Sequence, residues 1–219
     1  MFRQVFDPDN LFWRLISRGV DFVGLGLFWL LLCFPVVTIG PATAALYYTV
    51  VKAFRQKETA TFLIFWNAFR ANLKKGCIVT LICLPVCVLF AAGYSVMSLV
   101  KGEGVTGAIM FVAYWVVLLV PAGTLCWLFP VLARFESGLK ATFRNAFILA
   151  LRHLPTTFVL VLLNMYLIIF TVERWWPVFF VPVLLTLLCS LFQEKIFLKY
   201  LNEEEQAALQ GIVEDDEEE

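Results

Sequence analysis

Apolar residues occur in long uninterrupted runs instead of the alternating or one-sided patterns of soluble strands and helices. Five runs contain no Lys, Arg or Glu, and Asp21, at one margin, is the only acid within them: residues 20–51, 77–100, 105–133, 154–172 and 177–193. A helix that crosses the hydrocarbon core of a bilayer needs about 17–25 mostly apolar residues. Each run therefore has the length of a span, and the first is long enough for two. The pattern predicts an all-α, polytopic transmembrane helical bundle of five to six spans, with residues 1–201 as one transmembrane domain.

The polar segments between these runs predict the orientation. All of the 17 Lys and Arg residues except Lys101 and Arg174 lie at the N-terminus, in two long linkers (residues 52–75 and 134–152) or after residue 194. Cytoplasmic loops of membrane proteins carry an excess of Lys and Arg. We therefore expect a multi-pass protein of the cell membrane with the N- and C-termini in the cytoplasm.

Single cysteines placed in an otherwise cysteine-free chain test this orientation. We expect an impermeant thiol reagent to label Gly102→Cys in intact cells, because that position lies in a predicted outer turn, and to spare Gln56→Cys, which lies in a cytoplasmic linker. Labelling of Gln56→Cys without labelling of Gly102→Cys would show that the orientation is the opposite of the predicted one.

The first apolar run must contain an even number of crossings if both of its flanks are cytoplasmic. The simplest form is a hairpin that ascends from residue 20 to about residue 39, turns at Gly40-Pro41 and returns over residues 42–51. Gly allows unusual backbone angles, and Pro suits a first helical turn. Because the return leg is short, a re-entrant segment is the alternative, in which freed backbone groups must face protein or water. The sequence leaves both forms open.

Both long linkers contain amphipathic segments. In the first, apolar residues recur at helical spacing: Phe62, Phe65, Trp66, Phe69 and Leu73. In the second, an apolar stripe lies beside basic residues: Leu139, Phe143, Ala146, Phe147, Ala150 and Leu154. Aromatic and basic faces of this kind suit a helix lying in the membrane interface. The pattern predicts two interfacial helices, with extension of the adjoining spans as the alternative.

Two pairs of similar segments suggest an internal duplication. Residues 67–69 (NAF) recur as residues 145–147, and residues 29–35 (WLLLCFP) are echoed by residues 115–121 (WVVLLVP), although the register slips between the two matches. Membrane segments draw on few residue types, so chance similarity is the alternative. A duplication would matter because repeats often frame a central site in membrane proteins.

Composition supports a membrane protein with a distinct tail. Hydrophobic residues make up 61% of the 219 residues and charged residues 16%, against about half and a quarter in soluble domains. The net charge of zero combines a basic body with an acidic cytoplasmic tail, residues 202–219. Like charges repel one another, so we expect the tail to be disordered. The six cysteines lie in apolar runs without CxxC spacing or a nearby histidine, which indicates buried thiols instead of disulfides or a zinc site.

Few residues within the spans could carry chemistry. Ionisable groups are costly inside a bilayer and usually serve a function there. Asp21 is the only acidic residue in the apolar runs, and it shares a helical face with Arg18. We therefore predict that the two form an ion pair at the membrane boundary, with a role of Asp21 as a ligand for a substrate or proton as the alternative. We expect His153 to be an interfacial residue and Asn164 to form an interhelical hydrogen bond. No nucleotide-binding, HExxH or GxSxG motif occurs. The sequence therefore predicts no catalytic residue, no cofactor, no metal and no ion-coupled transport.

Residues 9–48 (DNLFWRLISRGVDFVGLGLFWLLLCFPVVTIGPATAALYY) resemble the YesL-like family, small bacterial multi-pass membrane proteins grouped under a domain of unknown function. Residues 65–76 (FWNAFRANLKKG) are similar to the family's next segment, so the resemblance is strongest over residues 9–76. Its most specific part is residues 38–48 (TIGPATAALYY). This part supplies the candidate functional motif: Thr38, Gly40, Pro41, Thr43, Tyr47 and Tyr48.

The resemblance implies an all-helical protein, typical of Gram-positive bacteria, often encoded beside carbohydrate uptake genes and without an established activity. We therefore expect a non-catalytic accessory or regulatory membrane protein whose partners are the lipid bilayer and a carbohydrate ABC transporter, with no nucleic acid. The alternative is a small uncoupled transporter or channel for a polar solute such as a sugar, with Thr43, Tyr47, Tyr48 and Asn164 as ligands.

Overall fold

The chain folds into helices joined by short turns. The computed structural model describes residues 11–55, 60–100, 104–135, 138–174 and 176–217, and regular structure within these residues is helical throughout. The α-helices are α1 (Leu11–Cys33), α2 (Ile39–Val50), α3 (Thr61–Val100), α4 (Gly104–Arg134), α5 (Leu139–Arg152), α6 (Leu154–Arg174) and α7 (Val181–Glu217). Short 3-10 turns, Val36–Thr38 and Trp176–Phe179, precede α2 and α7, and a π-helical turn, Val51–Arg55, follows α2.

Five segments are long and apolar enough to cross a membrane, which confirms the predicted all-α bundle. They are Val36–Ala53, Thr61–Leu99, Gly104–Arg134, Leu154–Thr171 and Val181–Tyr200. The part of α1 whose side chains are described adds a shorter apolar helix, Gly19–Cys33. Membrane insertion follows from these lengths, because each of the five reaches the roughly 17–25 residues that a span requires.

The N-terminal hairpin turns at Phe34-Pro35 and not, as predicted, at Gly40-Pro41. Helix α1 ends at Cys33, and Pro35 has extended backbone angles (φ −76°, ψ 116°). A residue before proline is disfavoured in the helical conformation, and proline has no N–H for a helical hydrogen bond. Pro41 does not end a helix because it lies in the first turn of α2, where backbone N–H groups have no intrahelical acceptor.

Helix α2 is the most enclosed of the candidate spans. Of the window Val36–Ala53, 61% is buried inside the protein, and α2 contacts α1, α3, α4 and α7. The window reaches the length of about 17 residues that a full return leg requires, and its burial also meets the requirement of a re-entrant segment that its backbone face protein. The enclosure makes α2 the centre about which α1, α3, α4 and α7 pack, whereas α5 and α6 pack against α4.

Gly40 and Gly76 bring the backbones of α2 and α3 into contact. A Cβ on Gly76 would lie 2.7 Å from Pro41 N, and a Cβ on Gly40 would lie 2.7 Å from the carbonyl oxygen of Gly76. The N–H of Gly40 donates to Thr80 Oγ1 at 3.0 Å, and that hydroxyl donates to the Gly76 carbonyl at 2.9 Å. Small residues at membrane helix interfaces permit such close approach. The Gly-Pro pair of the candidate motif is therefore a packing contact.

Residues 62–73 form the first turns of α3 and not a separate helix in the membrane interface, so this prediction is wrong. Helix α3 has 40 residues, or about 60 Å at 1.5 Å per residue, which is twice the hydrocarbon thickness of about 30 Å. Phe65 is fully buried and Phe69 is 5% exposed, and both pack with residues of α1 and α2. The Phe28 ring lies 5.3 Å from the Phe65 ring. An aromatic stripe at helical spacing can face protein as well as lipid. Here Phe65 and Phe69 face protein, whereas Phe62 and Leu73, at the two ends of the stripe, are exposed.

The second amphipathic linker forms a helix of its own, α5. Ala146 and Ala150 are buried in the main hydrophobic cluster with residues of α4. The exposed side is apolar and basic: Lys140, Arg144, Phe147, Ile148 and Leu151. The predicted stripe is thus divided between a protein-facing alanine edge and an exposed edge, and the interfacial position of α5 stays a prediction.

One contact between a glycine and a threonine occurs in both halves of the protein. A Cβ added to Gly40 would clash with the side chain of Thr80, and a Cβ added to Gly123 would clash with the side chain of Thr157. In the first half, Gly40 follows residues 29–35, and Thr80 lies in α3, after the first linker. In the second half, Gly123 follows residues 115–121, and Thr157 lies in α6, after the second linker. This parallel supports the internal duplication, which stays a prediction.

Helix α7 continues past its apolar part to Glu217, through most of the acidic segment for which the charge run predicted disorder. Residues 206–209 (QAAL) are strong helix formers. Because they extend an existing helix, no new nucleus has to form. No break in α7 therefore separates the transmembrane domain from residues 202–217.

Candidate functional site

A buried ion pair joins three helices near the end of α4. Glu194 on α7 is 3% exposed. Its Oε2 accepts a hydrogen bond from Arg134 Nη2 on α4 at 2.9 Å, and its Oε1 accepts one from the Tyr47 hydroxyl on α2 at 2.9 Å. A buried carboxylate is costly unless it is paired and hydrogen-bonded. Because both oxygens of Glu194 have partners, the carboxylate links α2, α4 and α7.

Neutral hydrogen bonds surround this ion pair. Gln193 Nε2 donates to the Cys126 carbonyl at 2.9 Å, and Trp127 Nε1 donates to Thr157 Oγ1 at 3.0 Å. Within the described residues, Gln193 Oε1 and Arg134 Nε are buried without a hydrogen-bond partner. Most buried polar atoms have one, so these two atoms retain unused bonding capacity.

The prediction that Asp21 is the only ionisable residue in the apolar runs missed the buried pair of Glu194 and Arg134, which lie just beyond two of those runs. The charge pattern alone assigns both to polar segments, but they lie within the candidate spans Val181–Tyr200 and Gly104–Arg134. A signal was present in the sequence. Ser190 and Gln193 share a helical face with Glu194, and all three are buried. Polar residues three and four apart at the edge of an apolar run indicate an inward-facing polar stripe.

An intramembrane cavity of about 360 Å³ lies beside the ion pair, between α2, α4, α6 and α7. Its walls are mainly apolar, with one polar set: Thr43, Tyr47, Asn164, Thr186 and Gln193. Thr43, Tyr47 and Asn164 are three of the four residues that the sequence suggested as solute ligands. The structure brings these three together in one cavity.

Asn164 makes the predicted interhelical contact. Its Nδ2 donates to the Leu160 carbonyl of its own helix at 2.8 Å and to Cys189 Sγ on α7 at 3.6 Å.

All six cysteines are free. Among the described residues, no group of three or more His, Cys, Asp or Glu side chains could hold a metal ion. The groups that line the cavity are suited to binding a ligand by hydrogen bonds.

The other motif residues do not reach the intramembrane cavity. Gly40 and Pro41 pack against α3. The Thr38 hydroxyl contacts the carbonyl of Leu32 near the end of α1 and that of Pro35 in the following turn. Tyr48 lines a separate cavity of about 610 Å³, with Lys52 Nζ 5.3 Å from its ring centroid. The motif is therefore divided between helix packing and two different cavities.

The predicted boundary ion pair between Arg18 and Asp21 cannot be placed in full. Asp21 is half-buried on α1, whereas the side chain of Arg18 lies outside the described residues. Gln56 and Gly102, the two labelling positions, also lie outside them. The ion pair and the orientation both stay predictions.

His153 lies where α5 ends and contacts α7. Its Nε2 is 3.3 Å from the Tyr200 hydroxyl. Burial, followed by the neighbouring charges of Arg152 and Lys199, lowers the pKa of His153 below its usual value. The neutral imidazole is therefore favoured at neutral pH, in agreement with a structural contact.

Taken together, five apolar spans, a buried ion pair and a cavity define a polytopic α-helical membrane protein with a cavity between its helices. Residues 22–94 match a family described as "Protein of unknown function, DUF624". The match includes α2, most of α3 and the Gly40–Gly76 contact, and it ends before α4. No curated protein and no solved structure matches the chain. The chain is thus similar over its first three helices to a family without an assigned function.

Proposed function

We propose that the protein is a non-catalytic accessory or regulatory integral membrane protein of the YesL-like kind, which acts beside a carbohydrate ABC transporter in the cell membrane. The resemblance over residues 9–76 supports both the family and the link to carbohydrate uptake. The match of residues 22–94 to a family of unknown function overlaps the segment that carries this resemblance.

The observation that supports this role most strongly is that both carboxylate oxygens of Glu194 are hydrogen-bonded within the protein. Its two carboxylate oxygens accept hydrogen bonds from Tyr47 and Arg134. A proton- or sodium-coupled carrier needs a carboxylate that is open to the coupling ion. A carboxylate that is hydrogen-bonded to an arginine and a tyrosine instead fixes the arrangement of three helices. A fixed arrangement presents a constant surface, which suits a protein that a partner recognises.

Reconstitution and deletion experiments test the accessory role. We expect the purified protein, alone in liposomes, to move neither sugars nor ions. Deletion in the native host should alter carbohydrate uptake only when the neighbouring transporter is present. Affinity purification in mild detergent, followed by mass spectrometry, should recover that transporter.

The second candidate function, an uncoupled carrier for a polar solute such as a sugar, is favoured by the presence of Thr43, Tyr47 and Asn164 in one cavity. Saturable sugar flux in liposomes that is lost in a folded Thr43→Ala or Tyr47→Ala variant would replace the accessory role with this one. Thr171→Val is the matched control, because Thr171 lies on α6 outside the residues that line the cavity.

A further inference from the structure

We propose that the intramembrane cavity binds a neutral lipid alcohol from the bilayer, a molecule with a hydrocarbon body and a hydroxyl group that donates a hydrogen bond. This site does not depend on the proposed accessory function, because a lipid can bind whether or not a transporter is the partner.

The polar side chains in the cavity wall have hydrogen-bond acceptor capacity that a ligand could use. Asn164 Nδ2 uses both of its hydrogens on protein acceptors, and within the described chain Asn164 Oδ1 accepts no hydrogen bond. The hydroxyls of Thr43 and Thr186 donate to carbonyls of their own helices at 2.7 Å. Each of these hydroxyls has a single hydrogen and two acceptor lone pairs. A ligand that matches this wall must therefore supply donors.

Gln193 adds a second, independent indication of a donating ligand. Only the NH₂ end of its amide can donate to the Cys126 carbonyl, so that bond fixes which end of the amide is Oε1. Gln193 is 1% exposed, and its Oε1 has no partner within the described residues. A buried acceptor without a partner is unfavourable, and a ligand hydroxyl that reaches it after a small side-chain shift would relieve that cost.

The rest of the wall requires an uncharged and mainly apolar ligand. Most of the other lining side chains are aliphatic or aromatic, among them Leu125, Phe129 and Leu185. The nearest carboxylate, Glu194, has both oxygens engaged, so a charged ammonium donor would lack a counter-charge. The volume of about 360 Å³ lies within the range of small-ligand sites.

The bilayer is the source that fits the position of the cavity. Ile168 lines it and is 58% exposed, although it lies on α6 within the candidate span Leu154–Thr171. An exposed apolar side chain in a span faces acyl chains. A ligand can therefore enter sideways from the membrane, and a sugar from the aqueous phase would find few wall donors for its own acceptors.

Photolabelling with a matched pair of probes tests this site. Octanol and octane that each carry a diazirine are added to liposomes containing the protein, and labelled residues are mapped by mass spectrometry. We expect the alcohol to label cavity residues about three- to tenfold more than the alkane, since one hydrogen bond in a membrane protein is worth about that factor. A second cavity of about 230 Å³ is the internal control. Its lining includes one hydroxyl, that of Thr124, and no amide side chain, so its alcohol-to-alkane ratio should be lower than that of the intramembrane cavity.

Variants separate the hydrogen bond from general affinity for hydrocarbon. Asn164→Leu and, as a second and milder change, Thr186→Val should each lower the alcohol-to-alkane ratio in the intramembrane cavity toward one. Thr171→Val should leave it unchanged. A wild-type ratio near one, or a ratio unaffected by both cavity variants, would overturn the lipid-alcohol site. Suppression of labelling by excess glucose would assign the cavity to a sugar and also overturn it. Because transporter recovery is measured separately, either failure is distinguishable from failure of the accessory role.

Discussion

Arg134→Leu should destabilise the protein by about 3 kcal/mol, since loss of one partner of a buried ion pair leaves the other charge uncompensated. Glu194→Leu should cost less. The reason is an asymmetry in exposure: the Glu194 side chain is 4% exposed and that of Arg134 is 20% exposed. In Arg134→Leu the carboxylate of Glu194 therefore stays buried without its partner, whereas in Glu194→Leu the guanidinium of Arg134 can reach water. The free energy of unfolding is measured by titration with a denaturing detergent in mixed micelles.

The double variant Arg134→Leu/Glu194→Leu distinguishes an ion pair from general packing. We expect it to be more stable than Arg134→Leu alone, because no charge remains buried. Arg144→Leu, which removes an exposed arginine from α5, should change the unfolding free energy little. If the effects of the two single changes simply add in the double variant, the contact between Arg134 and Glu194 has no energetic significance.

Gly76→Ala should lower the free energy of unfolding by about 1–3 kcal/mol, the usual cost of overfilling a packed interface. The new methyl group would lie 2.7 Å from Pro41 N and 2.8 Å from Pro41 Cα, and backbone atoms cannot turn aside. The helices α2 and α3 must then separate, which also weakens the hydrogen bond from Gly40 N to Thr80. Thermal unfolding in detergent measures the effect.

Gly19→Ala is the matched control for this glycine prediction. Gly19 is also helical, but nothing lies within 4 Å of its added Cβ. Alanine has a higher helix propensity than glycine by about 1 kcal/mol, so the control should be neutral or slightly more stable. Equal losses in Gly19→Ala and Gly76→Ala would show that the close approach of α2 and α3 does not limit stability.

The sequence alone determined the membrane class, the approximate positions of most spans and part of the candidate site. The length of an apolar run is a local property, and the bilayer sets a nearly fixed requirement for it. Asn164 could be named because a polar side chain is conspicuous within an apolar run, whereas Thr43 and Tyr47 were named as members of the motif that carries the family resemblance. The interhelical role of Asn164 followed from the same reasoning, since an amide in a span needs a partner.

Only the tertiary structure decided which faces meet. The charge pattern assigned Glu194 and Arg134 to the polar ends of their spans, yet the three-helix contact with Tyr47 buries the carboxylate. The aromatic stripe at Phe65 faces α1 and α2 instead of lipid. In a membrane protein, both lipid and protein interior accept apolar side chains. Periodicity therefore reveals that a helix has an apolar face but not which neighbour that face contacts.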